Sequence, residues 1–222
     1  MNKIVLVTGG SRGIGKVIAK ILKENDFTVI ITSKNKERLE KTAKELNVDY
    51  FKADVSNLKE VQNLIKYIVK KYKKIDVLVN NAGVASSKKL IDDNYEDIDN
   101  TIKTNVLGVI YCTKESLPYM KDGIIINISS VAGLEGYNEL SIYCASKFAV
   151  VGFGEALKKE LKDNKIYTIC PGPVDTDMWK EYEITPGTKP EDVAKIVIDI
   201  TKNKYKNGEI IKIYKKEDLK YI

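Results

Sequence analysis

The sequence predicts an α/β fold, in which a doubly wound, mainly parallel sheet of seven strands is covered by helices on both faces. Short runs of β-branched residues alternate with longer amphipathic segments along the whole chain of 222 residues. The strand segments are almost continuously apolar, as expected for a parallel sheet whose two faces are both buried. The length is typical of one domain, and neither a linker nor an internal repeat divides the chain.

The order of the elements follows from the local patterns. Apolar, β-branched runs predict strands at 3–7, 28–32, 48–52, 75–79, 123–128, 165–169 and 209–213. Segments with helical periodicity lie between and after them, at 14–25, 35–46, 57–72, 94–120, 143–163 and 190–202. We expect the long segment 94–120 to be broken near Asn105. Residues 1–222 are therefore interpreted as one three-layer domain.

The composition excludes several kinds of chemistry. The chain has no histidine, which removes Ser-His-Asp and Cys-His catalysis and leaves no expected metal site. Cys112, Cys144 and Cys170 are widely spaced and odd in number, so we expect reduced thiols and a cytoplasmic location. No apolar stretch approaches the roughly 18 residues of a membrane helix. The start at Met1 runs directly into a strand, and no signal peptide is expected.

The positive charge does not indicate nucleic-acid binding. The net charge is +6, but the 37 basic residues are scattered and are nearly all lysines. A nucleic-acid binder more often concentrates its basic residues and interleaves them with stacking aromatics. Arg12 and Arg38 are the only arginines, and Arg12 lies inside a glycine-rich turn.

That turn, from Thr8 to Gly15, directly follows the first strand and precedes the first helix. Such a turn presents backbone N–H groups and a helix N-terminus to an anion, which suits a phosphate group. Its glycines are spaced Gly9-x-x-x-Gly13-x-Gly15, which departs from the general dinucleotide pattern because Arg12 stands where a glycine is expected. A tight connection without a ligand is the alternative interpretation.

Polar residues follow other strands of the predicted sheet. Asp54 follows the third strand, Asn80-Asn81-Ala82-Gly83 ends the fourth, and Ser129-Ser130 follows the fifth. Ligands of open α/β sheets bind beyond the carboxyl ends of the strands. Each motif alone is also compatible with turn chemistry, and Asp54 with either a helix N-cap or an adenine contact.

Tyr143 and Lys147 are four residues apart on a predicted helix and therefore share one face. A neighbouring ammonium favours the phenolate and so lowers the pKa of a tyrosine. Without histidine, proton transfer falls to Tyr, Lys, Asp or Glu, and this pair is the best candidate.

Together these motifs resemble the short-chain dehydrogenase/reductase family, from the glycine turn through Asn81 and Asn105 to Ser130, Tyr143-x-x-x-Lys147 and Pro171-Gly172. The resemblance covers about residues 3–176, and Ser130 precedes Tyr143 by the expected thirteen positions. It implies a Rossmann-type fold in which residues 1–120 mainly bind the cofactor and residues 121–222 carry catalysis and substrate binding.

The resemblance also implies roles for individual residues. Tyr143 would be the general acid/base. Lys147 would bind the nicotinamide ribose and, together with the positive charge of the oxidised nicotinamide, would lower the pKa of Tyr143. Ser130 would hold the carbonyl oxygen of the substrate, and Asn105 would hold a water molecule of a proton relay. The implied cofactor contacts are Gly9, Ser11, Arg12, Gly13, Ile14, Gly15, Ser33, Lys34, Asp54, Val55, Asn81, Ala82, Gly83, Tyr143, Lys147, Pro171, Gly172, Val174 and Thr176. Substrate contacts are expected from Ser130, Tyr143 and Trp179.

The expected cofactor is NADP(H) in preference to NAD(H). The second strand ends in Ser33-Lys34, with no acidic residue before Glu37 that could hydrogen-bond the ribose 2′-OH and repel a 2′-phosphate. Lys34 and Arg12 can approach that phosphate from two sides. The alternative is that Lys34 is one more surface lysine.

The favoured function is an NADP-dependent oxidoreductase acting on a small carbonyl compound or secondary alcohol. The alternative from another functional class is a nucleotide-sensing regulator with the same fold. An epimerase of the related extended group would need a larger substrate domain than this chain can supply. RNA binding is a distant third hypothesis.

Nearly all-apolar helical segments at 106–112 and 148–154 predict a homodimer or homotetramer. The substrate and the reaction direction stay open, as does the role of the short segment 177–189.

Overall fold

The computed structural model describes residues 2–178 and 187–214. The strands are β1 (Ile4–Thr8), β2 (Thr28–Ser33), β3 (Asp49–Lys52), β4 (Val77–Asn80), β5 (Ile124–Ile128), β6 (Lys165–Pro171) and β7 (Ile210–Ile213). The helices are α1 (Gly13–Glu24), α2 (Lys36–Leu46), α3 (Leu58–Tyr72), α4 (Tyr95–Ile102), α5 (Gly108–Ser116), α6 (Ser141–Glu160) and α7 (Pro190–Thr201). Short 3₁₀ turns lie at Leu90–Asp92, Leu117–Tyr119 and Val131–Gly133.

The seven strands form one sheet in the order β3-β2-β1-β4-β5-β6-β7. Every strand pair is parallel, and the predicted doubly wound α/β fold is confirmed. The chain runs outward from β1 to β3 on one side and from β4 to β7 on the other. After β1 and after β4 the chain therefore continues in opposite directions, and this is the switch point where sheets of this kind bind ligands.

The sheet buries an apolar layer on each face, and this explains the nearly continuous apolar strands. On one face, the cluster that includes Val7 and Val79 packs with residues of α1, α2 and α7. On the other face, Leu6 and Leu78 pack with residues of α3, α5 and α6. β3 alternates between half-buried and exposed positions because it is an edge strand.

Asparagines mark the N-termini of three helices. Asn35, Asn57 and Asn94 each accept a hydrogen bond from a backbone N–H in the first turn of α2, α3 and α4 respectively. These groups would otherwise have no partner inside the helix, which is why asparagine is favoured there. Within the described residues, no helix has both the length and the apolar character needed to cross a membrane.

The predicted break in the segment 94–120 is instead a widened turn. α4 continues into a π-helical turn, Lys103–Leu107, which continues into α5 without leaving the helical region. Asn105 lies at the centre of this turn and is buried. The α-helix is therefore interrupted at the predicted position, but by one wider turn around the buried amide and without leaving the helical conformation.

Candidate active site

A cleft of about 340 Å³ opens at the carboxyl ends of the strands, a size ordinary for small-molecule sites. The loops that follow β1, β2, β3, β4, β5 and β6 line it. The predicted residues on its wall are Gly9, Ser11, Arg12, Gly13, Ile14, Gly15, Ser33, Lys34, Asp54, Val55, Asn81, Ala82, Gly83, Ser130, Tyr143, Lys147, Pro171, Gly172, Val174 and Thr176. Asn105 lies behind this wall, and Trp179 is outside the described residues.

The glycine turn has a backbone that other residues could adopt only with strain. Gly9 and Gly13 have φ angles of +65° and +51°, in the left-handed region that favours glycine. A Cβ at Gly15 would collide with the Asn81 side chain and the Gly9 carbonyl. The turn therefore stays close to the neighbouring loop and brings its backbone to the edge of the cleft.

The N-terminus of α1 points into the cleft without a capping group. Arg12 occupies the N-cap position but its side chain makes no capping hydrogen bond, and the first turn contains no acidic residue. The first N–H groups of a helix lack partners within the helix and favour an anion. This end of α1 fits a phosphate group.

Asn81 holds the glycine turn from behind. Its side-chain Nδ2 donates to the backbone oxygens of Thr8 (2.9 Å) and Gly9 (3.3 Å). The backbone N–H groups of Asn81 and Ala82 in turn donate to Thr8 Oγ1, both at 3.0 Å. The loops after β1 and β4 are thereby fastened together, although this side of Asn81 contacts protein rather than the cleft.

The loop after β2 is the cationic end of the cleft. Ser33 and Ser11 are joined by a hydrogen bond of 3.0 Å between their hydroxyl oxygens, which links this loop to the glycine turn. Arg12, Lys34 and Arg38 all line the wall. Across the part of the chain that the structure describes, no carboxylate forms an ion pair with any of these three side chains.

Arg38 was missed in the sequence. It belongs to the first turn of α2, where its backbone N–H is capped by Asn35 at 2.9 Å. The available signal was its position four residues after Lys34, at the start of the helix that follows β2. Asn35 was missed with it and also lines the wall.

Asp54 lies on the wall but is not the cap of α3, since Asn57 occupies that position. Its Oδ1 accepts hydrogen bonds from the backbone N–H (2.9 Å) and hydroxyl (2.7 Å) of Ser56. The helix-cap alternative for Asp54 is therefore wrong, and an adenine contact remains a prediction.

Ser130, Tyr143 and Lys147 form one connected group. Ser130 and Tyr143 are hydrogen-bonded through their side chains. Lys147 Nζ lies 5.6 Å from the centroid of the Tyr143 ring and donates to the Ile128 carbonyl at 3.1 Å. All three side chains are buried in the protein and border the cleft.

Burial is the main cause of the shifted pKa values of Tyr143 and Lys147. It raises the pKa of Tyr143 above its ordinary value, and the hydrogen bond with Ser130 only opposes the effect. It lowers the pKa of Lys147 to about 8. The expectation of a lowered tyrosine pKa is wrong for the protein by itself, because removing both groups from water disfavours their charged forms.

Asn105 is held by three hydrogen bonds. Its Oδ1 accepts from the Val84 N–H (2.9 Å), while its Nδ2 donates to the Val84 carbonyl (2.9 Å) and to Ser146 Oγ (3.0 Å). A Cβ added to Gly83 would lie 3.4 Å from Asn105 Oδ1 and 3.6 Å from Lys147 Nζ. The amide oxygen and the ammonium therefore flank the same glycine.

The segment after β6 closes the opposite wall. Gly172 N–H donates to the Ile213 carbonyl at 2.8 Å, and the Thr176 methyl group comes within 3.3 Å of the position of a Cβ at Gly13. Sequence reasoning missed the apolar residues on the side of the cleft next to Tyr143. They are Val131, Ala132, Tyr137 and Leu140, and the last three pack with Tyr143 in one apolar cluster.

Comparison with known proteins agrees with this geometry. The family model described as short chain dehydrogenase matches residues 3–186. An uncharacterised oxidoreductase of Staphylococcus aureus is 36% identical over 207 residues, which cover 89% of this chain and 90% of that protein. An NADP-dependent 3-hydroxy acid dehydrogenase of Schizosaccharomyces pombe is 37% identical, covering 89% of this chain and 86% of that protein.

A solved structure has the same architecture. The crystal structure of a short chain dehydrogenase from Burkholderia cenocepacia in complex with NADP superposes with a TM-score of 0.88. Its sequence identity is 29%, and the match covers 95% of this chain and 96% of that one.

Proposed function

The chain belongs to the short chain dehydrogenase family of oxidoreductases, and from this premise we propose that it is an NADP(H)-dependent enzyme that transfers hydride between nicotinamide and a small carbonyl compound or secondary alcohol. One observation carries the proposal. A hydrogen-bonded Ser130–Tyr143 pair, with Lys147 beside it, borders the same cleft as an uncapped helix N-terminus and a cationic loop.

In the proposed mechanism, Tyr143 donates its proton to the substrate oxygen during carbonyl reduction. Its raised pKa keeps the phenol protonated at neutral pH, so the proton is available. Ser130 shares a hydrogen bond with Tyr143 and can hold the same substrate oxygen, stabilising charge as it develops there. Bound cofactor supplies the hydride and, when oxidised, a positive charge that favours the phenolate for the reverse reaction.

Lys147 and Asn105 complete the proton path. With a pKa of about 8, Lys147 is mainly protonated at neutral pH and can exchange its proton near that value. The chain positions Asn105 Oδ1 and Lys147 Nζ on either side of Gly83, where a water between them would be within reach of both. Val84 and Ser146 fix the amide in that orientation.

The preference for NADP(H) is the second part of the proposal. Arg12, Lys34 and Arg38 provide three cationic side chains around the end of β2, and the serine at that end carries no charge. Arginine binds phosphate with two parallel hydrogen bonds, and each charge-assisted contact contributes roughly 1.5–3 kcal/mol. The NADP-bound neighbour and the NADP-dependent relative support this preference.

Enzyme assays test the function. We expect NADPH oxidation with some members of a panel of ketones, aldehydes and oxo acids, or NADP⁺ reduction with hydroxy acids, sugars and secondary alcohols. The absorbance of the reduced cofactor reports turnover. Tight NADPH binding without turnover of any compound would indicate the nucleotide-sensing alternative.

We also propose a cytoplasmic location for this enzyme. Cys112, Cys144 and Cys170 are all buried and unpaired, as is usual for a reducing compartment. Fractionation of cells that express the tagged protein tests this directly.

A further inference from the structure

Three consecutive residues at the end of β5 each contact a functional group of α6. The Ile128 carbonyl accepts from Lys147 Nζ, and Ser130 is hydrogen-bonded to Tyr143. Between them, Ser129 Oγ donates to the backbone oxygen of Lys147 at 2.9 Å. The side chain and the main chain of Lys147 are thus held by neighbouring residues of one segment.

Ser129 is itself fixed on the sheet. It is buried, and its backbone N–H donates to the Ile169 carbonyl of β6 at 2.8 Å. A Cβ added to Gly133 would come within 2.6 Å of both Ser129 Oγ and the Lys147 oxygen, so the space around this bond is closed. Ser129 therefore connects the end of β5 to β6 through its backbone and to the middle of α6 through its hydroxyl group.

The backbone oxygen of Lys147 does not need the hydrogen bond from Ser129 in order to have a partner. A carbonyl inside an α-helix already accepts the N–H four residues further along, so the Lys147 oxygen has a partner without Ser129. What the Ser129 bond adds is a fixed distance between the end of β5 and the turn of α6 that carries both Tyr143 and Lys147.

We propose that Ser129 is a positioning residue, which sets the register of the Tyr143–Lys147 turn against Ser130 so that the three side chains meet at one substrate oxygen. The inference rests on the proposed function of that site. Small errors in the placement of reacting groups are costly, since a shift of about 1 Å can reduce a rate by about a hundredfold.

Kinetics of two matched variants provide the first test. Ser129→Ala removes the bond, whereas Ser116→Ala makes the same change at a fully buried serine of α5 whose hydroxyl has no hydrogen-bond partner among the described residues. We expect kcat to fall tenfold or more in Ser129→Ala, with KM, NADPH affinity and melting temperature close to those of the wild type. Ser116→Ala should retain the wild-type kcat.

Equal kcat values in the two variants would overturn the proposal. A lowered melting temperature of Ser129→Ala with wild-type kcat would also overturn it, because the role would then be structural only.

A second test needs neither substrate nor cofactor, and so separates this inference from the proposed function. NMR titration of protein labelled at lysine Cε should show one lysine with a pKa near 8, identified by its loss in Lys147→Met. Tyr143 and Cys170 interact with Lys147, but burial raises the pKa of both, so neither titrates near pH 8.

In Ser129→Ala the released turn gains access to water, so we expect the Lys147 pKa to rise by half a unit or more toward its ordinary value. Ser116→Ala should leave it unchanged. An identical titration in all three proteins would contradict the positioning role even if no substrate is ever found. Inactivity of the wild type with the expected NMR shift would count against the proposed function alone.

Discussion

At the scale of single residues, the sequence selects the side chains that we propose to be reactive but does not predict their protonation. Tyr143 and Lys147 could be selected because four residues separate them on a helix. Their pKa values could not be predicted, since these depend on burial by loops distant in the chain. Arg38 was missed for a similar reason, because its approach to the cleft depends on how α2 follows β2.

The role of Tyr143 predicts a specific kinetic defect. Tyr143→Phe keeps the ring and loses only the proton donor, so we expect turnover to fall by roughly 10²–10⁴ while the NADPH dissociation constant changes little. Fluorescence titration and initial rates measure the two quantities. Lys147→Ala should impair both. Rates near those of the wild type in Tyr143→Phe would show that another group is the acid.

The buried ammonium of Lys147 predicts that stability depends on pH. Its pKa is about 8 when folded and about 10.4 when unfolded, so between these values only the unfolded chain holds the proton. Stability should therefore rise as the pH increases from 8 toward 10, and below pH 8 the charged lysine costs on the order of 3 kcal/mol.

Lys147→Met removes this cost. We expect a higher melting temperature at pH 7 for the inactive variant than for the wild type, and convergence of the two values as the pH approaches 10. Calorimetry across this range measures both. A lower melting temperature of the variant at pH 7 would show that the hydrogen bond to Ile128 outweighs the burial of the charge.

At the scale of elements, the strands could be predicted closely because their apolar runs are local and are buried on both faces. The interruption near Asn105 could be predicted, but not that it is a π-helical turn at Lys103–Leu107. This turn depends on hydrogen bonds between Asn105 and two distant partners, Val84 and Ser146, that no local pattern reveals. The loops that line the cleft could be predicted in part. Their glycines can be recognised in the sequence, but the contacts between the loops cannot.

The junction of β2 and α2 predicts the cofactor preference. Ser33→Asp places a carboxylate beside Arg12, Lys34 and Arg38, where it would repel a 2′-phosphate and accept from a ribose hydroxyl. The native protein should bind NADPH a hundredfold or more tightly than NADH, since two contacts together contribute roughly 3 kcal/mol or more. The variant should reduce or reverse this ratio.

Asn47→Asp is the matched control, because it adds the same charge at the exposed opposite end of α2, outside the cleft. Its ratio of dissociation constants should equal that of the wild type. Equal affinity of the native protein for NADH and NADPH would refute the preference.

At the scale of the whole molecule, α6 has one face that carries Tyr143 and Lys147 and a second face that no other described residue covers. Tyr143 and Lys147 are buried on the first face. Ala145, Phe148, Ala149 and Gly152 lie one turn apart on the other and are exposed, and a Cβ at Gly152 would meet no atom within 4 Å. We propose that this apolar stripe contacts another copy of the chain.

This stripe predicts a homodimer or homotetramer. Two copies related by a two-fold axis would pack the same stripes together, and the small residues would let the helices approach closely. Phe148→Glu should therefore lower the mass measured by light scattering at micromolar concentration, from a dimer to one chain of 25.0 kDa or from a tetramer to a dimer held by its other interface. Leu58→Glu is the control, since Leu58 on α3 is 42% exposed and Phe148 is 47% exposed. A monomeric wild type, or equal dissociation by both variants, would refute assembly through α6.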